Sequence, residues 1–148
     1  MRFNPNSEVK YRVTLAKRYL DEATRAYEGR DYRLTVASSQ LSAENSAKSI
    51  VAVFRIPSCS HDPSYELMEL LNNLPEELKN QAMRLADLAH NLAPEHGRST
   101  YGEPARGLTP WDIYAKDEAS KSLNYAEEAF AIAKLLIKKL GMKIDQAL

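Results

Sequence analysis

The hydrophobic pattern of this chain has the period of an α-helix almost from end to end. Val9, Val13, Ala16, Leu20, Ala23 and Tyr27 recur in alternating steps of four and three. That spacing lays one apolar stripe along a helix over 8–28. Gly29, Arg30 and Asp31 make a short turn, with Asp31 placed to cap the next helix. The second helix, 32–55, carries Leu34, Ala37, Leu41, Ala47, Val51 and Phe54 and stops before Pro57. Asp62-Pro63 reads as a cap and first helical residue, opening a short helix over 63–73 with Tyr65, Met68 and Leu71 in phase. Pro75 restarts the pattern over 75–92, where Leu78, Ala82, Leu85, Ala89 and Leu92 line up. The last run is the clearest: Ala119, Leu123, Ala126, Phe130, Ala133, Ile137 and Leu140 predict one helix over 110–140. Thr109-Pro110-Trp111-Asp112 is its start signal, a cap, a first-turn proline and an acid three residues after the cap. Gly29 and Gly141 sit where helices end.

No segment alternates apolar and polar residues, and no Asn-Gly or Asp-Gly hairpin signal occurs. The interval 93–109 holds three of the five glycines and reads as a long irregular loop. The expected architecture is all-α, a single domain over 1–148 built as an up-and-down bundle of four to five helices.

Charge narrows the function classes. Twenty basic residues balance twenty acidic ones, which argues against a coat for nucleic acid or an anionic membrane. The balance is local rather than uniform. Residues 1–60 hold ten basic and six acidic side chains, whereas 61–80 hold five acids and Lys79 alone. A small phosphate site, or charge-matched pairing with a partner, remains open. The opening MRFNPNSEVK lacks the apolar core of a signal peptide and no run is long enough to span a bilayer, so a cytoplasmic protein is expected. A single cysteine, Cys59, excludes a disulfide framework and a multi-thiolate zinc site. His61, His90 and His96 lack the spacing that sets two ligands on one helix face, so neither a metal nor a cofactor is expected.

Candidate chemistry gathers in two places. Glu44 lies between Leu41 and Ala47, on or beside the buried stripe. A carboxylate there needs a partner. It either sits at the stripe's margin beside a neighbouring arginine or points inward and orients an arginine from the long loop. That loop collects His96, Arg98, Tyr101 and Arg106. Arg98 and Arg106 suit bidentate phosphate contacts, Tyr101 suits base stacking, and His96 suits acid–base work near neutral pH.

Taken together these features resemble the HEPN domain, the higher eukaryote and prokaryote nucleotide-binding family. The residues that carry the likeness are YLDEATRAYEGRDYRLTVASSQ and QLSAENSAKSIVAVF in the first two helices, HGRSTYGEP in the loop, and DIYAKDEASKSLNYAEEAFAIAKLL at the end. The resemblance implies a compact helical domain, often a homodimer, frequently paired with a minimal nucleotidyltransferase in two-component toxin–antitoxin systems. It also implies, for many members, metal-independent RNase activity from an arginine followed after four to six residues by a histidine. No histidine follows Arg98 in that window. Arg84 and His90 match the spacing, but six helical steps of about 100° place them roughly 120° apart. The expected function is therefore binding of a nucleotide, RNA or a partner nucleotidyltransferase without strong catalysis. In that reading Arg98 binds phosphate and Glu44 holds Arg98. The alternatives are an endoribonuclease toxin using Arg84, His90 and His96, and a helical domain that binds only protein.

Overall fold

A computed structural model describes residues 2–144. It contains seven α-helices and three short 3-10 turns, with no strand among the described residues. Helix α1 spans Pro5–Glu28 and starts earlier than its stripe, because Asn4 accepts a hydrogen bond from the Ser7 amide and Pro5 occupies the first turn. Asp31 caps α2 (Tyr32–Val51) as its position predicts, accepting from the Leu34 amide at 3.0 Å. Helix α2 ends four residues short of the expected 55. Val53 and Phe54 instead bond back three residues, to the carbonyls of Ile50 and Val51, tightening the turn ahead of Pro57. There follow α3 (Ser64–Glu69), α4 (Lys79–Leu92), α5 (Glu95–Tyr101), α6 (Pro110–Ile113) and α7 (Lys116–Lys139).

The four long helices form the bundle. Tyr27, Val36 and Ala119 meet in one cluster, bringing the end of α1 to the starts of α2 and α7. Arg84 of α4 pairs with Glu128 of α7, while Leu92 faces Glu118 and Ser122, so α4 runs against α7. Helices α1 and α4 therefore run one way and α2 and α7 the other. This is the all-α, up-and-down bundle the periodicity predicts.

Helix α2 lies at the centre and touches α1, α3, α4, α5, α6 and α7. Its burial departs from the predicted stripe. Leu34, Ala37 and Leu41 are only partly covered, whereas the whole run Ser42–Val51 is buried. Serine and alanine make this possible, being small enough for neighbours to approach on every side. Two of the hydroxyls are satisfied internally, Ser42 Oγ donating to the Ala16 carbonyl at 2.7 Å and Ser49 Oγ to that of Ser46 at 2.6 Å, whereas the buried hydroxyls of Ser39 and Ser46 have no hydrogen-bond partner among the described residues. Most of the stripe positions on α1, α4 and α7 are buried, among them Val9, Val13, Ala16, Ala82, Leu85 and Ile137. Leu20, Tyr27 and Leu140 are only partly covered, while Leu88 and Leu136, outside the expected stripes, are fully buried.

Two further expectations are corrected. The residues over 110–140 do not form one helix: Tyr114 and Ala115 adopt extended backbone between α6 and α7. Asp112 still accepts from the Thr109 amide at 2.8 Å and hydroxyl at 2.7 Å, but that cap serves only a four-residue helix. On α3 the buried residues are Ser64 and Leu67, while Tyr65 and Met68 face solvent. Six residues, fewer than two helical turns, are too short for periodicity to decide which face is covered.

Candidate functional site

The interval 93–109 is not an irregular loop. It folds as α5, a glycine corner, and a tight turn closed by a bridge between Glu103 and Leu108. Arg98 holds this element together. It donates to Glu95 Oε1 at 2.8 Å and to Glu103 Oε1 at 2.8 Å, and its guanidinium lies 5.6 Å from the centre of the Tyr114 ring. Arg106 donates to the other oxygen of Glu103 at 2.6 Å. The expected Arg98–Glu44 pair is thus replaced by contacts within the segment itself, because acids three residues before and five after Arg98 are closer along the chain. Glu103, bonded by both arginines, is held below its ordinary carboxylate value. Burial, reinforced by a hydrogen bond donated to Glu95, pushes the Tyr114 phenol well above its usual range.

The signs of these two shifts bound the segment at both ends of the pH scale. A lowered carboxyl contributes stability that is present above its unfolded value and is lost as pH falls through its folded one. A raised phenol contributes stability that is present below its unfolded value and is lost as pH rises beyond it. Amide protection over 95–108, taken relative to the intrinsic exchange rate at each pH, is expected to fall below about pH 4 and above about pH 10, the ordinary carboxyl and phenol values. Protection unchanged across both limits would contradict this clamp.

A second set of cations lies beside the clamp and is not consumed by it. The turn after α1, the start of α2 and α6 enclose an open pocket of about 330 Å³ lined by Arg30, Asp31, Tyr32, Arg33, Trp111 and Tyr114, with the Asp31 carboxylate engaged in capping α2. Arg33 Nε donates to the Ser99 carbonyl at 2.9 Å, and its guanidinium lies 5.5 Å from the Trp111 ring centre. Neither Arg30 nor Arg33 has an acidic partner within 4.0 Å among the described residues. Trp111 is 69% exposed and Tyr101 75% exposed, so both side chains are largely open to solvent, with the Arg33 guanidinium over the Trp111 ring. Tyr101 therefore does not anchor its segment to the bundle. Arg30 holds φ at +61°, a left-handed conformation that glycine usually takes, whereas Gly29 itself has φ of −82°. Sequence reasoning missed this pocket because its members come from two distant segments.

Glu44 does point inward, to different partners. Its Oε2 accepts from Lys48 Nζ at 3.1 Å, and its Oε1 accepts from Gln40 Nε2 at 3.0 Å and His61 Nδ1 at 3.0 Å. Gln40, Glu44 and Lys48 stand four residues apart and are all buried, so this row was legible in the helical spacing. His96 completes the group. Its ring stacks on His61 at 3.5 Å between centres, and its Nδ1 bonds to Gln40 Oε1 at 3.0 Å. Burial, with His61 alongside, holds His96 below its ordinary imidazole value.

Arg84 and His90 do not converge. Arg84 bonds to Glu128 and Asp87, while His90 Nδ1 faces Asp62 Oδ2 at 2.7 Å. Burial raises the Asp62 carboxyl, but hydrogen bonds from Ser64 and His90 outweigh it and leave the group below its usual value. His90 also edges an apolar groove of about 430 Å³ between α3 and α4, with Tyr65, Met68 and Met83. No helix among the described residues is long and apolar enough to cross a membrane.

Comparison with known proteins adds one finding. The family model described as the HEPN domain matches residues 9–136, from the first buried valine of α1 to the last turns of α7. No curated protein and no solved structure matches the chain.

Proposed function

The chain belongs to the HEPN domain family, and from that membership we propose that it binds a nucleotide or a short single-stranded RNA in the pocket between the α1–α2 turn and α6. The supporting observation is the pairing of two arginines that lack acidic partners among the described residues with an exposed indole. Guanidinium groups engage phosphate bidentately, and a tryptophan face stacks on any base. Arg33 is held by the Ser99 carbonyl through Nε, which leaves its two terminal nitrogens for a ligand. Arg98 acts indirectly in this reading. It shapes the segment that carries Ser99 and leads into α6, while its own donors are engaged by Glu95 and Glu103.

The endoribonuclease alternative has less support. Arg84 and His90, the pair with the family spacing, are each bonded to different acids on different elements. Binding without strong catalysis is the reading the side chains favour.

Trp111 is the only tryptophan, so ligand binding reports directly in its emission. Titration with nucleotides and with labelled single-stranded RNA is expected to quench that emission. Arg33→Ala and Arg30→Ala should each weaken binding about tenfold, the worth of one charged hydrogen-bonding contact. Each should also reduce the salt dependence of RNA binding by about one unit of slope. Arg30→Gly carries a further expectation: it relieves the left-handed backbone, so binding falls while thermal stability holds or rises. Affinity unchanged in both alanine variants would overturn the assignment. RNA cleavage that resists chelator and disappears in Arg84→Ala would favour the nuclease instead.

A further inference from the structure

We propose that Glu44, His61 and His96 form a binding site for one zinc-class divalent cation. One ligand atom from each residue lies within 4.8 Å of the other two. Tetrahedral zinc with bonds near 2.0–2.1 Å sets neighbouring ligand atoms about 3.3 Å apart, so closure draws the ligand atoms together by up to about 1.5 Å. It also swings the two imidazoles out of their stack, because face-to-face rings cannot both aim a lone pair at one ion. Two imidazoles and a carboxylate are a donor set suited to zinc and its first-row neighbours rather than to magnesium or calcium. The three residues come from α2, the connection after it and α5, so a bound ion would tie three segments together.

The surroundings are arranged as an outer shell. A carboxylate can only accept hydrogen bonds, so the Gln40 amide must turn its nitrogen to Glu44 and its oxygen to His96. That oxygen requires His96 Nδ1 to be the protonated nitrogen, which leaves the Nε2 lone pair for a metal. His61 donates from Nδ1 to Glu44 Oε1, and its side chain is about half exposed. A shift of that proton to Nε2 frees Nδ1 without changing the charge of the ring. Lys48 occupies Glu44 Oε2, so the carboxylate would bind through Oε1 alone. Three protein ligands leave the remaining position to water.

Lys48 also gives the site a recognisable signature. Its ammonium and the cation compete for one carboxylate, so removing that charge should tighten metal binding, as no incidental surface site would require. The experiment titrates metal-free protein with Zn²⁺ against a competing chromophoric chelator, and with Co²⁺ by visible absorption. One equivalent is expected to bind and to raise the unfolding midpoint. His61→Ala and His96→Ala should each lower affinity at least about tenfold, whereas His90→Ala and Cys59→Ser should leave it unchanged. Lys48→Met should bind Zn²⁺ more tightly than the parent and gain more in unfolding midpoint when loaded. The proposal fails if no saturable single equivalent binds. It fails equally if His61→Ala and His96→Ala retain full affinity, or if Cys59→Ser or His90→Ala abolishes binding. These readouts do not depend on nucleotide or RNA, so either proposal can fail alone.

Discussion

Glu44→Ala is expected to destabilise the metal-free protein by about 3–5 kcal/mol, the range for removing one partner of a buried ion pair. Urea unfolding at neutral pH measures it directly. Lys48 is 3% exposed, and its ammonium has Glu44 as its acidic partner. Without that carboxylate a full charge stays in the centre of the bundle, and Gln40 and His61 also lose an acceptor. Desolvation of an orphaned ion outweighs any gain from a smaller side chain. The double variant Glu44→Leu/Lys48→Met should recover most of the loss, because apolar packing replaces both charges together. A loss below about 1 kcal/mol in the single variant would mean that water or a shifted side chain reaches Lys48.

Gly102→Ala is the second large effect. Gly102 has φ +72° and ψ −146°, a region open almost only to glycine. An added Cβ would lie 2.2 Å from the Leu108 carbonyl oxygen, 2.8 Å from the Thr109 carbonyl carbon and 2.9 Å from the Pro110 nitrogen. All three are backbone atoms, so no side chain can swing away to relieve the contact. The corner between α5 and α6 must open, and the expected cost is about 3 kcal/mol or more. The opening moves Trp111 away from Arg33, so RNA affinity and the Trp111 emission maximum should change with it. Gly107→Ala is the comparison: φ is also positive, at +69°, but the Cβ meets nothing within 4 Å. Its cost should be about 1–2 kcal/mol, the left-handed penalty alone. Equal losses in the two variants would show that backbone conformation matters here and close approach does not.

Much of the bundle was legible because the signals that mark it act over one helical turn. Asp31 reaches the Leu34 amide and Asp112 reaches Thr109 within three residues. The stripes on α1, α4 and α7 need only repeat every three or four positions to bury one face. Failures occurred where that short-range logic is insufficient. Helix α2 carries many small polar residues and is packed against by six other helices, so its hydrophobic pattern is weak although the run Ser42–Val51 is wholly buried. On α3 a few residues allow more than one register. In the segment after Ala93, Arg98 found acids within its own stretch before any pairing with Glu44 could compete.

The amino-acid sequence by itself determined the helical class, the Asp31 cap, the helix ends at 28 and 92, the start at 32 and the membership that matches residues 9–136. It also marked Glu44 as a carboxylate in need of a partner. Only the tertiary structure decided which groups meet: Arg30 and Arg33 with Trp111, and His61 and His96 around Glu44. The physical reason is range. Caps and stripes are settled by neighbours three or four residues apart, whereas a site is settled by side chains whose spacing along the chain carries no trace of their distance in space.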